Sequence, residues 1–262
     1  MDFTILRHTL RARRRGLAIW AASVAVVSGG YAAMYPMMED MDMAAMLEAM
    51  PPAMVEALGY DNMDSAAGYL GSAVYGLVAL ALLMVFVIGS GSQLIAGPEE
   101  RGELELELTS RVSRTSIYLQ RFCALGAQVK LVVGALFLAM LAVNGIAGLD
   151  VPVVDLAIVS LQLWLLLLFF GSFSFAVGAA TGRKKLAQGV SAGLAVVSWA
   201  FNAIGPTAGQ DWMASVSPIG WYMADNPVTR GFHPMDAGLL VGASVVVLVL
   251  GLWRFGQRDL MT

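Results

Sequence analysis

The sequence predicts an all-α membrane protein with six transmembrane helices, and three properties of its composition and charge support this class. Of the 262 residues, 58% are hydrophobic and only 13% are charged, whereas a soluble domain carries about 25% charged residues. No Lys or Arg occurs between Gly16 and Glu100. A net charge of −3 gives no basic surface for nucleic acid. The composition therefore excludes a soluble enzyme and a nucleic-acid-binding protein, and it indicates a chain that lies in a lipid bilayer.

Six apolar stretches are long enough to cross the hydrocarbon core, which takes roughly 20 residues as a helix. The predicted spans, numbered 1 to 6, cover residues 17–35, 69–88, 131–149, 156–179, 187–205 and 237–253 of a single transmembrane domain, 1–262. The uncharged run from 65 to 98 is too short for two helices and a turn. We interpret it as span 2 followed by a frayed end at residues 89–92.

The basic residues predict the orientation, because Lys and Arg of short loops stay on the cytoplasmic side. With six spans, every basic residue except Arg230 falls on one side. Both termini are therefore predicted to be cytoplasmic, in a chain of the inner (plasma) membrane. Removing one span from the count would scatter the basic residues over both sides, so this bias also supports six spans.

Residues 1–15 have the pattern of a short amphipathic helix on the inner leaflet, with apolar residues on one face and arginines on another. Two alternatives are a plain basic anchor for span 1 and a cleaved signal sequence. The uncharged run that follows is longer than the core of a usual signal sequence, which has about 7–15 residues. We therefore favour an uncleaved first span.

Two outer loops are predicted, at residues 36–68 and 206–236. The first contains many of the 16 methionines at helical spacing, interrupted by Pro51 and Pro52. Clustered thioethers can bind Cu(I), but no Cys or His accompanies them, and an adaptable apolar face on lipid or on a partner is the simpler interpretation. The second loop is rich in Pro and Gly, and Trp212 and Trp221 fit a membrane interface.

Residues for catalysis or cofactor binding are missing from the sequence. There is no phosphate-binding loop of the G-x-x-x-x-G-K-[ST] type and no zinc motif. His8 and His233 are predicted on opposite sides of the membrane, and Cys123 is the only cysteine. We predict no catalytic, cofactor-binding or metal-binding residue in this chain.

The predicted spans contain neutral polar side chains and no acid. Lys130 is expected to reach the inner interface at the start of span 3. The polar residues join neighbouring helices through hydrogen bonds or, alternatively, line a substrate path; the candidates for such a path are Asn144, Gln162, Ser172, Ser198 and Asn202. Secondary transport and channel function are disfavoured because they usually require ionisable groups inside the membrane.

The most informative segment is 97–122, GPEERGELELELTSRVSRTSIYLQRF, between spans 2 and 3. Glu residues alternate with Leu104, Leu106 and Leu108, and the segment also contains four arginines. In a helix, Leu104 and Leu108 form an apolar ridge edged by charge, which suits docking into a groove of a soluble partner. Ser113 or Thr115 is placed to cap the next helix. A solvated loop of balanced charge is the alternative.

These residues resemble the cytoplasmic motif of permeases of the type-2 ATP-binding-cassette exporter family. In that motif an acidic pair, a glycine and Leu-Glu-Leu precede Val-Ser-Arg. The matching residues are Glu99, Glu100, Gly102, Leu104, Glu105, Leu106, Val112, Ser113 and Arg114. The sequence departs from the pattern at Glu103, Glu107 and Arg111, where Thr, Leu and Pro are usual.

The resemblance implies that segment 97–122 contains a coupling helix on which a cytoplasmic ATPase subunit docks. The implied complex contains two copies of that ATPase, which binds ATP and magnesium. It also contains a second permease that is identical or related to this chain. The implied function is export of a hydrophobic or amphiphilic drug, antibiotic or lipid-like substrate. The alternative is a membrane scaffold or sensor that recruits a cytoplasmic partner through residues 97–122 without transport.

Overall fold

The protein is helical throughout the parts described by the computed structural model, which are residues 4–39, 65–103, 113–223 and 226–258. Six helices are long and apolar enough to cross a membrane by length and composition, which confirms the predicted number. Their bounds are Thr4–Ala32, Ala66–Leu94, Arg114–Ala147, Val153–Thr181, Lys184–Thr207 and Pro234–Gln257. Short helices are Tyr35–Glu39, Ala96–Glu100, Asp211–Val216 and Pro218–Met223. The ranges just described contain no strand.

The helices of spans 1 and 3 extend well beyond the apolar stretches that predicted them. Span 3 begins at Arg114, where the Ser113 hydroxyl accepts a hydrogen bond from the Ser116 N–H at 3.2 Å. Ser113 is therefore the cap, as one of the two predicted candidates. The 34 residues of this helix measure about 51 Å, at about 1.5 Å per residue. Span 1 is continuous from Thr4, so the predicted N-terminal amphipathic helix is an extension of span 1 and not a separate element.

Span 2 differs from the prediction at both ends. Residues Leu70–Val78 form a π-helix, a rare form that is frequent at functional sites. The stretch 89–92, predicted to be frayed, is helical up to Leu94. A Cβ on Gly91 would lie 2.6 Å from the carbonyl oxygen of Gly171, so the missing side chain lets spans 2 and 4 approach closely. The Ser174 hydroxyl donates to the Ile88 carbonyl at 2.8 Å across the same contact.

Span 4 lies at the centre of the bundle and packs against spans 2, 3, 5 and 6, while span 1 packs along span 3. The bundle has two ends. We call the end with residues 96–103, 113–121, 182–185 and 254–258 the basic end. The end with residues 148–152 and 211–230 is the distal end. Span 4 is mainly apolar, and its buried side chains form a large part of the core between the spans, second only to those of span 2.

Candidate functional site

The described residues of the predicted coupling segment, 97–103 and 113–122, lie at the basic end of the bundle. Glu99, Glu100, Gly102, Ser113 and Arg114 belong to the described parts of the chain. Leu104, Glu105, Leu106 and Val112, which include the predicted docking ridge, lie outside the described residues. The site is therefore built from the residues on both sides of segment 104–112.

Glu99 lies in the short helix Ala96–Glu100 and is 7% exposed. Its carboxylate accepts a hydrogen bond from the guanidinium of Arg258, which follows span 6. Gly182, the residue after span 4, has φ +68°. A Cβ there would lie 2.6 Å from the Glu99 carboxylate and 2.5 Å from the Arg258 guanidinium. The buried ion pair thus joins spans 2 and 6 against the end of span 4, and Gly182 gives it space.

Glu100 joins span 2 to span 5. Its carboxylate accepts a hydrogen bond of 2.7 Å from the backbone N–H of Lys184, the first residue of the span 5 helix. The first N–H groups of a helix have no partner within the helix, and a negative charge there also interacts favourably with the helix dipole. Glu100 therefore stabilises the start of span 5.

Arg114 joins span 3 to span 6. Its guanidinium donates to the carbonyl oxygens of Phe255 at 3.4 Å and Arg258 at 2.8 Å. The last carbonyls of a helix have no partner within the helix, and a cation there is favourable. Both residues identified by the sequence motif on this side, Ser113 and Arg114, are thus engaged at helix ends.

Arg121 is the last of the charged residues that are engaged at the basic end. The sequence had indicated no role for it beyond predicting the orientation of the chain in the membrane. It is 4% exposed, and its guanidinium donates to the carbonyl oxygen of Leu94, the last residue of the span 2 helix, at 2.6 Å. Its position two helical turns after Arg114 could have indicated that both arginines act at the same end of the bundle, because residues seven apart share a helix face. We call Glu99, Glu100, Arg114, Arg121 and Arg258 the basic-end cluster.

Gly102 forms the turn that leads into segment 104–112. It has φ +71°, and its N–H donates to the Glu99 carbonyl oxygen at 2.9 Å. Beside it, Arg101 donates two hydrogen bonds of 2.8 Å to the Glu103 carboxylate. These bonds lower the pKa of Glu103 and raise that of Arg101. Both side chains are about half exposed, so this pair differs from the buried pair next to it.

Four of the five candidates for a substrate path make hydrogen bonds that hold helices and turns together. Asn144 exchanges two bonds with the backbone of Val151 at the distal end, at 3.0 and 3.1 Å. Gln162 donates to the carbonyl oxygen of Gly231 at 3.0 Å. The Ser172 hydroxyl donates within span 4, and that of Ser198 contacts the Ser217 hydroxyl at 2.8 Å. Asn202 is partly buried on span 5.

The distal end has a cluster that the sequence did not indicate. Asn226 has φ +42°, and its amide nitrogen donates to the Gly68 carbonyl oxygen at 2.9 Å. Its amide oxygen accepts from the Val228 N–H at 3.0 Å. The Tyr222 hydroxyl donates to the Tyr75 carbonyl oxygen, within the π-helix, at 3.4 Å. The segment before span 6 is therefore held against the distal half of span 2.

Arg230, the one basic residue predicted on the outer side, forms an ion pair of 2.8 Å with Asp236 at the start of span 6. Within the described ranges, no group of three or more His, Cys, Asp or Glu is placed to hold a metal ion. The methionines of residues 40–64 lie outside those ranges.

Comparison with known proteins gives one family. The sequence profile of the family described as "ABC-2 family transporter protein" matches residues 3–260. No curated protein matches the chain.

Proposed function

The chain belongs to the ABC-2 transporter family, and we propose that it is the permease subunit of an ATP-binding-cassette exporter. Family membership and the six apolar helices make it a multi-pass membrane protein. The sequence contains no phosphate-binding loop, so ATP and magnesium belong to a separate subunit. Permeases of this family normally work with an ATP-binding subunit.

The observation that carries the proposal is the basic-end cluster on both sides of segment 104–112. Before the segment, Glu99 and Glu100 bond to residues next to spans 6 and 5. After it, Arg114 and Arg121 bond to the ends of spans 6 and 2. A subunit that pulls on segment 104–112 would therefore move the ends of several spans together, and mechanical coupling requires such a linkage.

We assign segment 104–112 as the docking site of a cytoplasmic ATPase, with two ATPase copies serving two permeases. The basic end is then the cytoplasmic side, in agreement with the distribution of Lys and Arg. Both termini are cytoplasmic in this arrangement, and the chain lies in the inner (plasma) membrane. The second permease is another copy of this chain or a related one.

The substrate class follows from the polarity of the spans. No acid lies in the predicted span interiors, and the polar groups there are mostly neutral and already hydrogen-bonded. Hydrophobic or amphiphilic molecules suit such surroundings better than ions, because unpaired charge is costly inside a membrane. The energy for outward movement comes from ATP hydrolysis in the partner.

The test is a double substitution, Glu105→Lys with Leu106→Asp, in the full chain. We expect the variant to lose binding of the ATPase and substrate-stimulated ATP hydrolysis, because the charge of Glu105 is reversed and an apolar side chain of the Leu-Glu-Leu motif is replaced by a carboxylate. The matched control is Leu47→Asp with Glu48→Lys, the same pair of changes in the predicted outer loop.

Co-purification and ATPase rates in reconstituted vesicles give the result. If binding and efflux survive the double substitution, the docking assignment is wrong. If the chain captures a partner through residues 97–122 but no substrate moves and none stimulates hydrolysis, the scaffold function replaces transport.

A further inference from the structure

A cavity of about 290 Å³ lies between spans 3 and 4, apart from the basic-end cluster. Its lining combines three polar residues, Lys130, Ser160 and Trp164, with apolar residues that include Val133, Phe137 and Leu161. Lys130 and Leu161 are also exposed at the protein surface. The cavity therefore opens sideways, toward the surroundings of the bundle, which in a bilayer are lipid.

The register between the two helices fixes the depth of the cavity. Spans 3 and 4 run antiparallel, with Tyr118 against Phe175 and Gly126 near Leu168. In the same register Lys130 lies opposite Trp164, and both line the cavity. Lys130 is 16 residues after the start of its helix and 17 before its end, so each end is roughly 24–26 Å away. Lys130 thus lies in the middle of the helix, immediately before the apolar run 131–149 that predicted span 3.

Two of the polar groups have no partner in the described parts of the chain. The indole nitrogen of Trp164 is buried and has no hydrogen-bond acceptor. No carboxylate pairs with Lys130 among the ion pairs found there. The Ser160 hydroxyl is occupied by the Tyr75 hydroxyl at 3.0 Å. An unpaired cation is costly in an apolar medium, and one small oxyanion beside Lys130 would pair with it.

We propose that this cavity binds a single-chain anionic amphiphile taken from the bilayer, such as a long-chain carboxylate. The carboxylate pairs with the Lys130 ammonium beside the Trp164 ring, and the chain runs along Val133, Phe137 and Leu161. A volume of 290 Å³ holds on the order of ten water-sized groups. That suffices for a carboxylate and the first part of one chain, and it is too small for a lipid head with two chains.

The experiment measures equilibrium binding of radiolabelled oleate to the full chain in phosphatidylcholine nanodiscs. We expect saturable binding that Lys130→Gln weakens roughly tenfold or more, the loss expected for a charge-assisted hydrogen bond. Trp164→Phe should weaken it to a smaller extent. Oleyl alcohol, with the same chain and no charge, should compete poorly.

Matched controls separate the cavity from general effects. Lys185→Gln removes an exposed lysine outside the cavity and should leave binding unchanged. Gly134 lines the cavity and has open space at its Cβ, so Gly134→Leu should fill the cavity and abolish binding. Gly145→Leu on the same helix also has open space, lies outside the cavity lining and should bind normally.

Each of three results would overturn the proposal. They are an oleate affinity of Lys130→Gln equal to that of the unsubstituted chain, competition by oleyl alcohol as strong as that by unlabelled oleate, and tighter binding of phosphatidylglycerol than of oleate. If Gly134→Leu does not fold, the Lys130 and Trp164 variants still decide. The measurement uses no ATPase, so failure of the proposed export function leaves this inference standing, and its own failure leaves export standing.

Discussion

The buried ion pair between Glu99 and Arg258 gives the sharpest test of the basic-end cluster. The side chains are 3% and 12% exposed, respectively. Removing one partner of a buried pair typically costs about 3–5 kcal/mol, because the remaining charge stays buried. Arg258 follows the last turn of span 6, is the more exposed of the two and can turn toward water, whereas Glu99 is held beside Gly182. We therefore expect Arg258→Gln to cost about 4 kcal/mol and Glu99→Gln about 2 kcal/mol.

The free energy of unfolding is measured by titration with sodium dodecyl sulfate, followed by circular dichroism, for both variants and the double variant. The double variant should cost less than the sum, with a coupling energy of about 0.5–3 kcal/mol. Glu103→Gln is the matched control, since its pair with Arg101 is about half exposed and exposed pairs contribute little. The reasoning is refuted if Glu103→Gln destabilises as much as Glu99→Gln, or if Arg258→Gln is the milder of the two buried changes.

Three further predictions concern other contacts of the bundle. Gly91→Ala should destabilise the protein by about 1–3 kcal/mol in the same titration, because the added Cβ meets the Gly171 carbonyl oxygen. The control Gly89→Ala places its Cβ in open space and should stabilise the protein by up to about 1 kcal/mol. Equal effects of the two substitutions would contradict the close approach of spans 2 and 4 at Gly91. Asn226→Ala should speed amide exchange in residues 70–78 and cost about 3 kcal/mol for three lost side-chain hydrogen bonds, while Asn226→Gly keeps the positive φ and should cost less. Arg114→Gln should speed amide exchange in the last turn of span 6 and cost about 1.5–3 kcal/mol; unchanged exchange there would show that its bonds to the carbonyls are unimportant.

The transmembrane architecture was predictable because it depends on local apolar length. Any helix that crosses hydrocarbon needs roughly 20 apolar residues, and each of the six stretches supplies them within one continuous run. The helix ends were less predictable. Arg114 starts a helix 17 residues before the apolar run of span 3, because the cap at Ser113 and contacts with span 6 decide the start. Hydropathy does not report such contacts.

The candidate site was predicted in location and only partly in geometry. The motif identified Glu99, Glu100 and Arg114, yet their partners are 84 to 159 residues away along the chain. No local pattern indicates that Glu99 turns inward to Arg258 while Glu103, four residues later, remains at the surface. Arg121 was missed for the same reason, since its partner is the end of another span.

The sequence by itself determined the class of the protein, the number of spans and the end of the bundle on which charge collects, because these depend on composition and on lengths along the chain. Only the tertiary structure decided which acid is buried, where span 2 becomes a π-helix and which residues share a cavity with Lys130. Each of these depends on a neighbouring element: Gly182 gives space beside Glu99, Asn226 and Tyr222 bond to carbonyls of span 2, and the register of spans 3 and 4 brings Lys130 and Trp164 to one cavity. A contact between distant residues is a property of packing, and packing is set by shape and hydrogen bonding across helices rather than by the order of residues within one.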